Sequence, residues 1–128
     1  MNYKLPFVPD RSPKPREKGV TMMMDKGLSL REVEDFIQAS GNLTDLVKLG
    51  FGTALVTNDL EEKIKLYREA GIRPYFGGTL FEVFYARNKH KDYLKFIDKY
   101  GLDLLEVSDG SIIINHDEKC ELISEFSK

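Results

Sequence analysis

The sequence predicts an α/β fold in which parallel strands alternate with helices. Four short apolar runs, at residues 22–27, 46–50, 75–79 and 104–110, end in polar residues or glycine, and residues with helical spacing follow each of them. Repeats of strand, polar tip and helix are typical of parallel α/β proteins, which bind ligands at the carboxyl ends of their strands. Four such units form either half of an eight-stranded barrel or a four-stranded open sheet, and the local patterns alone do not choose between them.

Residues 1–18 are expected to form a surface arm that precedes the α/β domain at residues 19–128. This arm holds four of the five prolines of the chain, which excludes a helix or a central strand there. Its basic side chains suit an anionic substrate, but a solvated lead-in is the favoured interpretation. These side chains are Arg11, Lys14, Arg16 and Lys18.

The first two units follow the same pattern. The continuous apolar character of residues 20–24 predicts a buried strand. Ser29 and Glu32 have the spacing of a capping box and open an amphipathic helix. The second unit combines a strand at 46–49 with a helix at 60–70.

The third and fourth units contain three predicted helices. Thr79 and Glu82 repeat the capping-box spacing at the start of the first of them. The predicted elements are a strand at 73–76, a helix from residue 79, a helix at about 93–101, a strand at 102–107 and a helix at about 117–126.

Composition and charge exclude several classes of function. Nineteen basic and twenty-one acidic residues give a formal net charge of −2, without the basic excess that nucleic-acid binding requires. No stretch approaches the roughly 18 apolar residues that span a bilayer, and the N-terminus has no signal-peptide pattern. Cys120 is the only cysteine, which excludes an internal disulfide, and its place on the last helix suggests packing. We therefore expect a cytoplasmic protein with no nucleic-acid or membrane partner.

Charged side chains collect at the predicted strand ends. A mixture of lysines and carboxylates suits an anionic substrate that binds with a divalent cation. Mg²⁺ takes one or two carboxylate ligands and fills its other positions with water and substrate oxygens, and Glu106 is the first choice for such a ligand. The residues at the strand ends are Asp25, Lys26, Lys48, Glu106, Ser108 and Asp109.

Lys48 lies between Val47 and Leu49 on a predicted strand, so its side chain points away from these apolar neighbours. A buried lysine needs an anionic partner. Pairing with Glu106 or Asp25 merely to neutralise charge is the structural alternative to a catalytic role. We favour the catalytic role because catalysis in barrels is located at strand ends.

Gly77, Gly78 and Thr79 stand directly before a predicted helix. Their amides suit a phosphate at the positive end of that helix, although a tight turn with Thr79 as the N-cap explains them equally well. The charged run at 61–63 is interpreted as an exposed helix face.

Five segments stand in a distinctive order along the chain: Lys14-Pro15-Arg16, Asp25-Lys26-Gly27, residues 48–53, residues 77–82 and Glu106-Val107-Ser108-Asp109-Gly110. Together they resemble the phosphosulfolactate synthase family, from about Pro13 to the end of the chain. The resemblance implies a TIM barrel, (βα)₈, and a carbon–sulfur lyase. It also implies Mg²⁺-dependent addition of sulfite to phosphoenolpyruvate, which gives (2R)-phospho-3-sulfolactate in coenzyme M biosynthesis.

The resemblance also suggests roles for individual residues. Glu106 would hold Mg²⁺ and act with Lys48 as the catalytic pair. Lysines would neutralise the substrate anions, and the glycine turn and Ser108 would donate hydrogen bonds. The implied substrate-binding set is Asp25, Lys26, Gly77, Gly78, Thr79 and Ser108.

Such a barrel typically needs about 250 residues. The resemblance therefore implies that this chain corresponds to the N-terminal half of the enzyme and is inactive by itself. The edges of the first and fourth strands would be open, so we expect a homo-oligomer. A non-catalytic family member with a stress-related or anion-binding role is the alternative interpretation.

Overall fold

The computed structural model describes Tyr3 and residues 5–127, which alternate between parallel strands and helices. The three strands pair in the order β1-β2-β3. Strands β2 and β3 have the predicted bounds, whereas β1 begins two residues later than predicted and includes Asp25. The elements are β1 (Met22–Asp25), α1 (Leu30–Ser40), β2 (Leu46–Leu49), α2 (Leu60–Glu69), β3 (Arg73–Phe76), α3 (Gly78–Tyr85), α4 (His90–Lys99) and α5 (His116–Phe126), with short 3₁₀ turns at Gly41–Leu43 and Thr53–Leu55. In this described part of the chain, no helix has the length and apolar character needed to cross a membrane.

The register of the strands sorts their side chains onto two faces of the sheet. Lys48 stands beside Met24 of β1 and Tyr75 of β3 in one row. The next row includes Leu49 and Phe76, which point the opposite way because side chains alternate along a strand. We call the side with Lys48 the open face, and the side with the buried Leu49 and Phe76 the helix face.

The predicted fourth strand at 102–107 is wrong as a regular strand. Leu105 makes one isolated parallel bridge to Phe76, and the sheet of the described residues contains three strands. Beyond the bridge the chain leaves the sheet, and Ser108 Oγ donates to the Glu82 carboxylate at 2.5 Å. After Leu105 the chain therefore makes its contacts with Glu82 of α3 and does not extend the ladder of β3.

One of the two predicted capping boxes is confirmed. The Ser29 amide donates to Glu32 Oε2 at 2.7 Å, and the Glu32 amide donates to Ser29 Oγ at 3.4 Å. The second predicted box, between Thr79 and Glu82, is wrong. Helix α3 begins at Gly78. Gly77 is its N-cap, and no side chain caps the helix. Glu82 does not cap the helix, and its carboxylate accepts hydrogen bonds from Ser108, Gly110 and Ser111.

Aromatic side chains fill the space between the helix face and helices α3 and α4. Phe76 stacks on Phe96 with ring centroids 5.0 Å apart, and Phe81 packs edge-on against Tyr93 at 5.7 Å. Phe76, Phe81 and Tyr93 are fully buried. Burial of one such side chain contributes roughly 1.5–3 kcal/mol, so this cluster fixes the position of α3 relative to the sheet.

Cys120 does not pack in the core, contrary to the sequence-based interpretation. The side chain is exposed, whereas Leu122 is the buried residue of α5. Residues that are two positions apart in an α-helix are separated by about 200° around the helix axis. Cys120 and Leu122 therefore point to opposite sides of α5.

Three basic side chains of the predicted N-terminal arm, Arg11, Lys14 and Arg16, contact the domain, although most of the described arm residues are exposed. Arg16 Nη1 lies 2.7 Å from Asp45 Oδ1, and its side chain is only 6% exposed. Lys14 Nζ donates to the carbonyl oxygens of Gly41 and Ala70 at 3.0 and 3.2 Å. Because Asp45 directly precedes β2, the arm contacts the amino ends of the strands, away from the carboxyl ends that bind ligands.

Asp45 is the acceptor on which the arm converges. Its Oδ2 atom accepts hydrogen bonds from Arg11 at 3.1 Å and from the Thr21 amide at 2.8 Å. Burial opposes ionisation of this carboxyl. The Thr21 amide and the guanidinium groups of Arg16 and Arg11 nevertheless hold the pKa of Asp45 below its usual range.

We predict that Asp45→Asn lowers the free energy of unfolding at pH 7 by about 1.5–3 kcal/mol, the range for hydrogen bonds to charged groups. The folded-state pKa of Asp45 lies below the unfolded value of about 3.9. The contribution is therefore complete above that value and is lost as the pH falls through the folded-state pKa. Urea unfolding at neutral pH and at strongly acidic pH measures both effects.

Asp103→Asn is the matched control. Asp103 pairs with Arg73 at the surface, where the two side chains are 66% and 56% exposed, and its loss should change stability by less than about 0.5 kcal/mol. Equal losses for the two variants, or a loss for Asp45→Asn that does not shrink in acid, would contradict the assigned role.

Candidate functional site

A cavity of about 250 Å³ opens beside the carboxyl ends of the three strands. We call this cavity the mouth. Six of the residues that the sequence suggested for the site lie in its wall, together with Glu82, which the sequence analysis assigned to a helix cap. The wall is formed by Met24, Lys48, Gly50, Phe51, Gly77, Gly78, Thr79, Glu82, Glu106, Ser108, Gly110 and Ser111.

Lys48 and Glu106 form an ion pair at the mouth. Lys48 Nζ lies 3.2 Å from Glu106 Oε2, and the two side chains are 18% and 34% exposed. Lys48 points to the open face as its strand position predicted. Leu105 shares the bridge row with Phe76 and so points to the helix face, which sends the neighbouring Glu106 to the open face. Pairing between Lys48 and Glu106 is therefore confirmed, and Asp25 is not the partner.

The two glycines after β3 let other parts of the site approach the backbone. A Cβ atom on Gly77 would lie 3.0 Å from Cγ and Cδ of Lys48, and one on Gly78 would lie 2.3 Å from Cβ of Ser108. The Gly77 amide donates to the carbonyl of Leu49 at 3.0 Å. Gly77 thus extends the strand ladder, and its amide is not available to an anion as the sequence suggested.

Of the predicted anion-binding turn, only the amides in the first turn of α3 therefore remain available to an anion. Gly78 and Thr79 open this helix and line the mouth. Backbone amides at the start of a helix lack an acceptor within the helix and favour negative charge. An anion in the mouth would therefore meet these two amides.

Glu82 is the functional candidate that the sequence analysis missed. Its Oε1 atom accepts three hydrogen bonds, from Ser108 Oγ at 2.5 Å, from the Gly110 amide at 2.8 Å and from the Ser111 amide at 3.2 Å. Burial opposes ionisation, but these donors hold the pKa of Glu82 below its usual range. The hydroxyl hydrogen of Ser108 is thereby engaged, whereas the sequence suggested that it binds substrate.

Asp25 does not reach the mouth, which contradicts the predicted substrate contact. It is fully buried on the helix face, because it follows the open-face row by one position. Its carboxylate accepts hydrogen bonds from Tyr67 Oη at 3.0 Å and from the amides of Gly27 and Leu28 at 2.7 and 2.8 Å. Lys63 Nζ lies 3.2 Å from Oδ2. Asp25 thus ties the loop after β1 to helix α2.

Lys63 corrects the interpretation of the charged run at 61–63. Glu61 and Glu62 of this run are exposed, but Lys63 is only 1% exposed. Lys63 is three positions after Leu60 and four before Tyr67, which places all three on one side of α2. Burial raises the pKa of Tyr67, and the nearby Asp25 carboxylate raises it further. This phenol therefore remains a hydrogen-bond donor.

Lys26 stands at the rim of the site. Its side chain is exposed, and Nζ lies 5.6 Å from the ring centroid of Phe51, which lines the mouth. A cation over an aromatic face is attracted by the ring, but at an exposed position it keeps its freedom to move. Lys26 is thus close to the mouth without forming its wall.

Residues 9–128 match the sequence model of the (2R)-phospho-3-sulfolactate synthase (ComA) family. The chain belongs to this family. Phosphosulfolactate synthases from Bacillus subtilis (strain 168) and Methanothermobacter thermautotrophicus are each 38% identical to it, and the one from Methanocaldococcus jannaschii is 41% identical. These matches cover 94%, 91% and 80% of this chain but 48%, 46% and 42% of the relatives. The chain of this phosphosulfolactate synthase family member thus spans about half the length of the curated relatives that it matches.

We predict that Lys63→Met destabilises this family member by about 3–5 kcal/mol, because it leaves the Asp25 carboxylate buried without its counter-charge. Lys65→Met is the control on the same helix, since Lys65 is 59% exposed and its pair with Glu62 is a surface pair. Urea unfolding should show the large loss for Lys63→Met alone. Similar stabilities of the two variants would show that the buried pair is not required.

We also predict that Gly78→Ala displaces Ser108 and costs about 1–3 kcal/mol, as overpacking of a filled site does. Gly110→Ala is the control, because a Cβ there would meet Ser108 Oγ and Glu82 Oε1 at ordinary distances of 3.5 and 3.6 Å. Chemical denaturation gives the stabilities, and amide NMR shifts of Gly110 and Ser111 report the displacement. Unchanged shifts in Gly78→Ala would contradict the close approach.

Proposed function

We propose that this chain forms part of a phosphosulfolactate synthase, a cytoplasmic carbon–sulfur lyase with a (βα)₈ barrel. The enzyme would add sulfite to phosphoenolpyruvate and yield (2R)-phospho-3-sulfolactate for coenzyme M biosynthesis. Family membership and the names of three relatives support this reaction. The observation that carries the proposal is the Lys48–Glu106 pair, with 3.2 Å between Nζ and Oε2, at the carboxyl ends of parallel strands.

Mg²⁺ fits the acidic side of the mouth. Glu106 Oε2 is buried and accepts no hydrogen bond of good geometry, although the Lys48 ammonium is near. In the described part of the chain, no three His, Cys, Asp or Glu side chains cluster as a metal site. A cation that keeps water and substrate oxygens at most positions suits such a site, and Mg²⁺ behaves in this way. Glu106 would hold the ion, which would supply positive charge beside the substrate carboxylate.

Lys48 would stabilise the charge that develops during the addition. Sulfite forms a bond to the methylene carbon of phosphoenolpyruvate, and the electron pair of the carbon–carbon double bond moves toward the substrate carboxylate. The Lys48 ammonium, which pairs with Glu106, would meet that enolate-like charge. A proton would then reach the carbon that carries the phosphate ester.

The phosphate group would bind near the first turn of α3. The Gly78 and Thr79 amides supply donors there. Lys26, at the rim beside Phe51, adds a mobile positive charge. Asp25 and the amide of Gly77 have no part in this binding, because both are engaged within the fold.

A homo-oligomer is also proposed. In the described residues β1 pairs with β2 alone, so its other edge carries no strand. Met22, the first residue of β1, is 43% exposed. An unpaired edge with apolar side chains favours pairing with a second copy.

We predict product formation when the chain is co-expressed with the part of the Bacillus subtilis relative that it does not match. Phosphorus NMR of the purified pair with phosphoenolpyruvate, sulfite and Mg²⁺ should show phosphosulfolactate. Lys48→Ala should lower kcat by about 10²-fold or more, because it removes charge stabilisation at the reacting centre.

Lys65→Ala, at an exposed site on α2, should leave kcat unchanged. Light scattering on the chain alone and on the pair tests assembly, and a monomeric chain at tens of micromolar would contradict the homo-oligomer. An assembled pair that makes no product, or full turnover in Lys48→Ala, would contradict the proposed function.

A further inference from the structure

Glu82 is a buried anion without a counter-charge among the described residues. The residue is 4% exposed. Its partners Ser108, Gly110 and Ser111 are all neutral donors, and the ion pairs of the described residues do not include it. Burial of a carboxylate is costly unless a cation or metal compensates it. Hydrogen bonds compensate the charge at Oε1, so the part of this carboxylate that lacks a partner is Oε2.

The two oxygens of Glu82 differ sharply in their contacts. Oε1 accepts all three hydrogen bonds, whereas Oε2 is buried with no hydrogen-bond partner. Buried polar atoms without a partner are rare in folded proteins. The three donors orient the carboxylate, so they also determine where the free oxygen points.

A second oxygen of the same kind belongs to the same cavity. Glu106 Oε2 is buried and accepts no hydrogen bond of good geometry, and both glutamates line the mouth. Lys48 is the one lysine or arginine in the wall of this cavity, so Lys48, Glu82 and Glu106 together carry a formal charge of −1. An anionic substrate does not enter a negative site unless a cation accompanies it.

We propose that Glu82 and Glu106 together bind one divalent cation, with Oε2 of Glu82 as a protein ligand. Mg²⁺ typically takes one or two carboxylates from a protein, so a pair of glutamates is within its usual ligand number. Ser108 and the amides of Gly110 and Ser111 then act as positioning groups, because they hold Glu82 through its other oxygen. This inference rests on the proposed function for the identity of the ion, but ion binding needs neither substrate.

The test is Mn²⁺ binding to the purified chain, measured by electron paramagnetic resonance, with Mg²⁺ as competitor. Glu82→Gln keeps an acceptor for the three donors but removes the charge, and Glu106→Gln does the same at the second ligand. Each variant is expected to weaken Mn²⁺ binding by about tenfold or more. Glu62→Gln, on the exposed side of α2, is the control and should bind as the parent chain does.

A measurement without substitutions covers the case in which Glu82→Gln fails to fold. Mg²⁺ titration of the parent chain should shift the amide NMR signals of Gly110 and Ser111, which are bonded to Glu82. Absence of these shifts, absence of Mn²⁺ binding, or a folded Glu82→Gln that binds like the parent chain would each overturn the proposal.

The two proposals fail separately. Loss of Mn²⁺ binding in Glu82→Gln, together with an assembled pair that makes no product, supports the cation site and rejects the proposed reaction. Product formation with unchanged Mn²⁺ binding in folded Glu82→Gln supports the reaction and rejects Glu82 as a ligand.

Discussion

The alternation of side chains along three short parallel strands is the constraint on which the rest of this structure depends. Because the strands pair in register, one row carries Lys48 to the open face and the next carries Asp25 to the helix face. The single bridge at Leu105 extends the same rule to Glu106. Two charged networks thus form on opposite sides of the sheet, one inside the fold and one at the mouth.

The inner network around Asp25 and the charged groups of the mouth differ in how fully their polar atoms are paired. Asp25 binds Lys63 and Tyr67 and is cut off from solvent, as a structural carboxylate should be. The mouth leaves charges incompletely satisfied, since Glu82 and Glu106 each keep an oxygen without a hydrogen-bond partner. Unsatisfied buried groups are destabilising unless a ligand completes them. Two such atoms, Glu82 Oε2 and Glu106 Oε2, belong to residues that line this one cavity, which makes it the candidate binding site.

Sequence reasoning succeeded where neighbouring residues determine the outcome. The Ser29 capping box formed because all its atoms lie within one turn. The similar spacing of Thr79 and Glu82 did not form a box, since the close packing of Ser108 on Gly78 and the bonds of Ser108 to Glu82 involve a loop about 26–30 residues away. Lys63 had a usable signal in its spacing from buried neighbours, but its charge led to the wrong interpretation.

By itself the sequence determined the order of strands and helices, the direction of Lys48 and, through five short segments, the family. These depend on periodicity and on local motifs, which need no knowledge of distant contacts. The tertiary structure alone decided that Arg16 binds Asp45 at the amino ends of the strands, that the fourth strand is reduced to one bridge, and that Glu82 turns to the mouth. In each case the free energy of a buried charge depends on partners distant in sequence, and only the folded chain brings those partners together.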